Sequence, residues 1–312
     1  MIRTCEFVSP KHPDKICDYI ADSILDAFLA LDPKSRVAVE VMGGHGEIAV
    51  NGEVTSQAKV DVASVVQNIV GPKFSVRVNV APQSPFIAIG VDSGGAGDQG
   101  VMLGYAVAET PSFMPLEYEL ARNLCQRIYE VYPYDGKVQV TLNGEQASCV
   151  VASFQNAPHQ QLEELVCSII SAKEYLINPA GDWSLGGFDA DTGLSGRKIV
   201  MDNYGSRFAV GGGSFSGKDS TKVDRSAAYM ARKIAKDLLV KHSAQEVAVK
   251  LAYAIGKAYP VMAVAEVDGK QIDVEGYNLT PAGITKALSL DKMHYAETSQ
   301  WGHFGQSEFP WE

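Results

Sequence analysis

No stretch of the 312-residue chain approaches the roughly 20 consecutive apolar residues that a membrane-spanning helix needs. Met1 to Cys5 carries no hydrophobic region of a secretory leader. Cysteine is scarce: Cys5, Cys17, Cys125, Cys149 and Cys167 are an odd set without a Cys-x-x-Cys pair. Cys17, Cys125 and Cys167 fall in helical patterns, where they read as small apolar residues. A disulfide scaffold is thereby excluded, and a reduced, cytoplasmic compartment is expected. The six histidines show no zinc spacing. Positive charge is in deficit, 27 Lys and Arg against 37 Asp and Glu, for a net charge of −10. That balance excludes a general nucleic-acid binder, which presents a basic face over much of its surface. What the chain does have is 46% hydrophobic residues, enough for a substantial core, at a length that suggests about two domains.

One pattern recurs along the chain. Ile16, Ile20, Ile24 and Phe28 predict a helix over 13–31, with Pro13 suited to its first position. Val37, Val39 and Val41 alternate as a strand, and Val50-Asn51-Gly52-Glu53-Val54 reads as a hairpin turn. A helix over 57–70 and a strand through Val76, Val78 and Val80 follow. The order then returns: a helix over 115–132, alternation at Val138, Val140 and Leu142, a turn at Asn143-Gly144-Glu145, a strand over 148–154 and a helix over 160–170. A third pass gives a helix over 223–240, an extended run over 247–255, a turn at Asp268-Gly269-Lys270 and a helix over 281–288. The expected fold is α+β: three similar two-layer α/β units in a pseudo-threefold triplication, with helices packed on mixed β-sheets. The units divide at 1–82, 83–183 and 184–312. The joins 71–114 and 172–222 are too long for ordinary loops and rich in glycine, which is where function tends to sit on a rigid scaffold.

The second join ends in Gly211-Gly212-Gly213-Ser214-Phe215-Ser216-Gly217-Lys218-Asp219, followed by Lys222, Asp224 and Arg225. Between Arg197 and Arg225 the basic residues (Arg197, Lys198, Arg207, Lys218, Lys222, Arg225) outnumber the acidic ones (Asp202, Asp219, Asp224). A local reversal of sign beside glycines that expose backbone N–H groups points to a phosphate site. Taken alone, a glycine run reads as a surface loop with solvated charges. Gly212 and Gly217 also stand at the spacing of a phosphate-loop NTPase, but Asp219 occupies the place of the Ser/Thr that would hold Mg²⁺. That argues against a phosphate-loop ATPase or kinase, which would release ADP.

Gly95-Ala96-Gly97-Asp98-Gln99-Gly100 and the 211–219 stretch resemble the two signature peptides of methionine adenosyltransferases (S-adenosylmethionine synthetases), the second with one change, at Ser214. His12-Pro13-Asp14-Lys15, Gln83-Ser84-Pro85, Gly193-Leu194-Ser195-Gly196-Arg197-Lys198, Lys222-Val223-Asp224-Arg225, Tyr253-Ala254-Ile255-Gly256 and Gly302-His303-Phe304-Gly305 resemble the family in the same order. The resemblance implies the reaction of ATP, L-methionine and water to S-adenosylmethionine, phosphate and diphosphate. Sulfur would attack C5′ of ATP, and the tripolyphosphate would then be cleaved. A thioether carries no proton, so the attack needs no general base; it needs alignment and relief of charge on the departing triphosphate.

The resemblance also assigns residues. His12, by itself a helix cap, becomes a hydrogen-bond donor to the leaving oxygen. Asp14 and Asp224, which suit a helix first turn and an N-cap, become ligands for two Mg²⁺ ions per site. Arg197, Lys198, Lys218 and Lys222 hold the phosphate chain, and Lys222 also lies near the methionine carboxylate. Asp219 orients the neighbouring lysines. Asp135, Lys137, Asp182, Trp183, Asp191 and Ser214 join His12, Arg197, Lys198 and Lys218 in the ATP set. Glu53, Gln83, Asp98, Asp191, Lys222 and Ile255 form the methionine set. Glu40, otherwise a solvent-facing glutamate on a strand, becomes a K⁺ ligand. The active sites would be shared across a homodimer, which many relatives pair into a dimer of dimers; no nucleic-acid or membrane partner is implied.

The chain departs from the family at several points. Asp182-Trp183 replaces Arg-Phe at the adenine site, where Trp183 still offers a stacking face. Pro10-Lys11 replaces Glu-Gly, and Phe86 replaces a common Asp. The segment between Gln83 and Gly95, a mobile lid in relatives, is short, which predicts looser selection for methionine over its S-ethyl analogue. A non-catalytic, nucleotide-binding relative is the competing reading; retention of the phosphate-facing cations and both metal carboxylates argues against it.

Overall fold

The computed structural model describes residues 1–84 and 94–312, so Pro85, Phe86 and most of the short lid lie outside the described residues. The chain runs β1 (Ile2–Val8), α1 (Pro13–Leu31), β2 (Arg36–Gly44), β3 (Glu47–Thr55), α2 (Val62–Val70) and β4 (Ser75–Ala81). It continues with β5 (Gly100–Val107), α3 (Leu116–Val131), β6 (Gly136–Asn143), β7 (Gln146–Phe154), α4 (His159–Ile169) and β8 (Ala172–Ile177). The last part holds β9 (Gly193–Leu194), α5 (Ile199–Asp202), α6 (Val223–His242), β10 (Glu246–Tyr253), β11 (Met262–Val267), β12 (Lys270–Asp273), α7 (Pro281–Ala287) and α8 (Tyr295–Thr298).

The triplication is visible as three four-stranded sheets, each around one antiparallel hairpin: β9-β2-β3-β4, β1-β6-β7-β8 and β5-β10-β11-β12. In the first two, a helix crosses over to a parallel fourth strand, β3 to β4 and β7 to β8. In the third, the antiparallel β12 replaces that crossover. Each sheet also takes an edge strand from outside its own helix–hairpin–helix repeat. β1 pairs with β6 over Ile2↔Asn143 to Val8↔Lys137, and β5 with β10 over Val107↔Glu246 to Gly100↔Tyr253. The two long joins, too long for ordinary loops, carry β4 and β5 in the first and β8 and β9 in the second.

α1 forms where expected because Cys17, Ile20, Ile24 and Phe28 recur on one face, and that face is buried on β2. His12 caps it, its Nδ1 accepting from Asp14 N–H at 3.2 Å. Two expected turns are present, at Gly144 and at Asp268-Gly269. The first hairpin is a correction: it turns at His45-Gly46, both at positive φ, and Asn51-Gly52 lies inside β3. Gly52 is there for close approach, since a Cβ would sit 2.1 Å from the Ala38 carbonyl oxygen. The helix expected from residue 57 begins at Val62, after the Asp61 cap. Cys167 lies on an exposed helix face, whereas Cys17 and Cys125 are buried.

One core cluster lies beneath the first sheet; a second runs continuously under the other two. The opposite faces are open: on β2, Val37, Val39 and Val41 point inward while Glu40 and Met42 are exposed. Val101, Leu176 and Met262 are likewise exposed apolar strand residues.

Candidate active site

The loop after β9 and the glycine-rich loop before α6 come together at the N-terminal half of α1. In the first loop, the buried Asp14 receives Lys198 Nζ at 2.5 Å, Arg197 Nε at 3.3 Å and the Leu194 N–H at 2.9 Å. Burial alone would raise the Asp14 carboxyl, but the bonds from Lys198 and Leu194 hold it below the usual carboxylate range. His12 stands beside it, its pKa pushed down to about 4 by burial and by Lys198, against the opposing pull of Asp14. The imidazole is therefore neutral, and because Nδ1 accepts from Asp14 N–H, its proton sits on Nε2. Lys137 and Asp191 lie near enough to bias the same ring.

In the second loop, Lys218 Nζ bonds Asp224 Oδ2 at 2.8 Å while Gly213 N–H bonds Oδ1 at 3.0 Å. Asp219 does orient a lysine: it receives Lys222 Nζ at 2.5 Å and the Val37 N–H at 2.7 Å. The loops touch where Gly196 meets Ser214, a Cβ on Gly196 falling 2.7 Å from that of Ser214. Gly196, Gly212 and Gly217 all take positive φ, which lets the backbones approach. The result is a cradle lined by Arg197, Lys198, Lys218 and Lys222, each cation held by a carboxylate.

A wall carrying Asp135, Asp182 and Trp183 adjoins the first loop. Asp135, raised by burial, accepts the Gly187 N–H at 2.9 Å, and Trp183 packs over Gly186. Trp183 Nε1 donates to Ser153 at 3.1 Å. Asp182 turns elsewhere, accepting from the His159 N–H at 3.2 Å and Asn178 Nδ2 at 3.0 Å, and so caps α4. Lys137 is paired with Glu6 at 2.8 Å. A cleft of about 690 Å³ opens behind this wall, lined by Lys11, Tyr19, Tyr134, Asp135 and Gly187.

Of the methionine set, backbone hydrogen bonds place two groups. Glu53 is exposed at the end of β3, and the Gln83 N–H bonds Thr55 Oγ1 nearby at 3.3 Å. Asp98 and Ile255 form another patch, because Gly256 N–H bonds Ala96 O at 2.8 Å and Ala96 N–H bonds Lys257 O at 2.9 Å. Glu40 lies on the open face of its sheet and accepts from Ser195 Oγ at 3.0 Å. Among the described residues no group of three or more His, Cys, Asp or Glu converges on a metal position. Asp14 and Asp224 each offer one carboxylate, which fits Mg²⁺, an ion that takes few protein ligands and keeps phosphate oxygens and water.

Sequence reasoning missed the carboxylates beneath this surface. Lys15, Asp18 and Asp202 form a buried cluster, Lys15 Nζ lying 3.0 Å from Asp18 and 2.6 Å from Asp202. Burial and the Asp202 charge lift the Asp18 carboxyl to about 7 against the pull of Lys15. Asp22 holds Arg225 through two bonds of 2.6 and 2.9 Å. A signal existed: Asp14, Asp18, Asp22 and Asp26 recur every fourth residue beside the apolar stripe of α1.

Three helix-backed sheets around one such cradle define a class, and comparison with known proteins identifies it. Models of the S-adenosylmethionine synthetase N-terminal, central and C-terminal domains match residues 1–73, 93–183 and 185–312. The chain is 39% identical to the S-adenosylmethionine synthases of Nocardia farcinica, covering 99% of this chain and 94% of the relative, and of Petrotoga mobilis, covering 100% and 96%. The first alignment spans 381 positions, more than the 312 residues here, so the relative carries insertions that this chain lacks. An unusual S-adenosylmethionine synthetase from Campylobacter jejuni superposes with a TM-score of 0.89 at 31% identity, over 99% of this chain and 96% of that one. The chain belongs to the S-adenosylmethionine synthetase family. Its activity is that of a methionine adenosyltransferase, joining ATP and methionine.

Proposed function

We propose that the cradle of Arg197, Lys198, Lys218 and Lys222 binds the triphosphate of ATP and takes up the charge that develops as it leaves C5′. The observation that carries this is the junction at Gly196 and Ser214, which sets the Lys198–Asp14 and Lys218–Asp224 pairs side by side in one chain. His12, neutral with its proton on Nε2, donates a hydrogen bond to the leaving oxygen without adding charge. Asp135, Lys137 and Trp183, with the backbone near Asp182, hold the nucleoside; Asp191 bridges toward the methionine. Glu53, Gln83, Asp98, Lys222 and Ile255 bind the methionine. Asp14 and Asp224 would hold the two Mg²⁺ ions, which neutralise phosphate charge, and Glu40 offers a carboxylate to K⁺. Tripolyphosphate then remains among the same cations for cleavage to diphosphate and phosphate.

The family reading supports a homodimer in which two copies complete each site, with a dimer of dimers as the larger assembly. The open, partly apolar sheet faces are suited to that contact. Among the described residues no helix is long and apolar enough to cross a membrane, and the five cysteines are unpaired, which suits the reducing cytoplasm. The test is methionine-dependent turnover with ATP, Mg²⁺ and K⁺ in wild type, Lys218→Ala and Asp224→Ala. Each substitution is expected to remove most of the turnover with circular dichroism unchanged; wild-type turnover in either variant would overturn the assignment.

A further inference from the structure

α1 carries aspartates at every fourth position, 14, 18, 22 and 26, and each accepts a backbone N–H from a segment that crosses the helix. Asp14 takes Leu194 N–H at 2.9 Å, Asp18 takes Gly196 N–H at 2.8 Å and Asp22 takes Gly217 N–H at 2.8 Å. Asp26 takes Tyr295 and Ala296 N–H at 2.8 and 2.9 Å. Asp14, Asp18 and Asp22 are fully buried. The first three rungs thus hold the two cation-bearing loops, and the fourth holds α8, whose Tyr295 ring lies 4.3 Å from the Arg225 guanidinium.

Asp18 acts at both ends of a short segment. Its Oδ1 fixes Gly196, and its ion-pair partner Lys15 reaches Asp202 at 2.6 Å. Arg197 and Lys198 lie between those two anchors. One turn further along α1, Asp22 fixes Gly217 directly before Lys218, and Arg225 Nη1 bridges Asp22 to the Lys218 carbonyl at 3.1 Å. Successive rungs are separated by about 6 Å along the helix axis. Gly196 and Gly217 have positive φ, and a Cβ on Gly217 would lie 2.2 Å from the Val39 carbonyl oxygen, so each loop meets its rung through a residue without a side chain.

We infer that Asp18 and Asp22 are positioning residues that set the register of the two cation-bearing loops along α1, and so the spacing of Arg197 and Lys198 relative to Lys218. The inference rests on the phosphate-site assignment above. Neither aspartate touches substrate; each acts through a glycine N–H. The effect belongs in kcat, because misplacing groups that act on the departing triphosphate by about 1 Å costs on the order of 10²-fold in rate.

The experiment compares Asp18→Ala, Asp18→Asn, Asp26→Ala and Lys198→Ala in the full chain, reading kcat, KM for ATP and melting temperature. Asp18→Ala is expected to lower kcat about 10- to 100-fold. Asp18→Asn, whose amide oxygen still accepts the Gly196 N–H although its amide nitrogen no longer pairs with Lys15, is expected to recover part of that loss. Asp26→Ala, which reaches the glycine-rich loop only through Tyr295 and Arg225, is expected to lower the melting temperature with a kcat loss well short of that in Asp18→Ala. Equal kcat losses in Asp18→Ala and Asp26→Ala would overturn the inference, as would an Asn variant no better than Ala. If Asp18→Ala does not fold, Asp18→Ser, whose side chain is too short for the 2.8 Å bond, replaces it on the same criteria. Lys198→Ala separates the two claims. Its full activity would refute the phosphate site itself, whereas its inactivity beside an active Asp18→Ala would refute the positioning role alone.

Discussion

His303 is fully buried, with its ring 4.8 Å from that of Phe215 and 5.9 Å from that of Tyr229. Arg225 Nε donates to the Tyr229 phenol, which shares a hydrogen bond of 2.7 Å with His303 Nδ1, while Nε2 has no partner among the described residues. Burial, reinforced by the Arg225 and Lys15 charges, lowers its pKa well below 6.5. The unfolded chain therefore takes up a proton near pH 6.5 that the folded chain refuses. The stability this group contributes is present above that pH and is lost as pH falls, at about 1.4 kcal/mol per pH unit. We expect the melting temperature of wild type to decline more steeply than that of His303→Asn between about pH 7 and 5. Parallel curves in a pH series of thermal melts would refute this. At this scale the sequence disclosed identities but not environments. His303 stood in a family-like peptide with no sign that it is buried against Arg225, and the four-residue repeat that includes Asp18 marked a helix face without showing what covers it. Burial of a charge depends on chain segments from elsewhere, such as Asp202 for Lys15 and Gly196 for Asp18.

At the level of elements, helices were the most legible. Apolar residues at period four and Pro13 place α1 over Pro13–Leu31, and the α6 start at Val223 was equally plain. Glycines were legible as special positions but not by kind. Asn51-Gly52 has the composition of a tight turn, yet the chain turns at His45-Gly46 and uses Gly52 for contact with Ala38. The glycine-rich loop is a case of both demands together: Gly217 has φ of 79° and no room for a Cβ beside the Val39 carbonyl oxygen. Gly217→Ala is expected to cost at least about 2 kcal/mol and to displace Lys218, measured as a lowered denaturation midpoint together with reduced turnover. A variant with both unchanged would show that the loop yields more easily than its contacts indicate.

For the whole molecule, local periodicity found the three hairpins' surroundings but not the strands that complete each sheet, because a strand's partner leaves no mark on its own sequence. β1 and β5 each join a sheet whose hairpin lies far along the chain, and the two-residue β9 closes the first sheet beside β2. A fragment of residues 94–183 lacks β1 and leaves β6 with an unpaired edge; we expect it to give no sharp thermal transition, whereas the full chain does. A cooperative melt of the fragment, followed by near-ultraviolet circular dichroism, would contradict this. The exchanged strands also bear on biogenesis. Ile2 leaves the ribosome long before Asn143, and Gly100 long before Tyr253. At ordinary elongation rates the earliest strand waits on the order of ten seconds for its mate. Nascent chains would therefore expose sticky, half-finished sheets during translation, making yield sensitive to growth temperature and to chaperone supply even when the finished enzyme is robust.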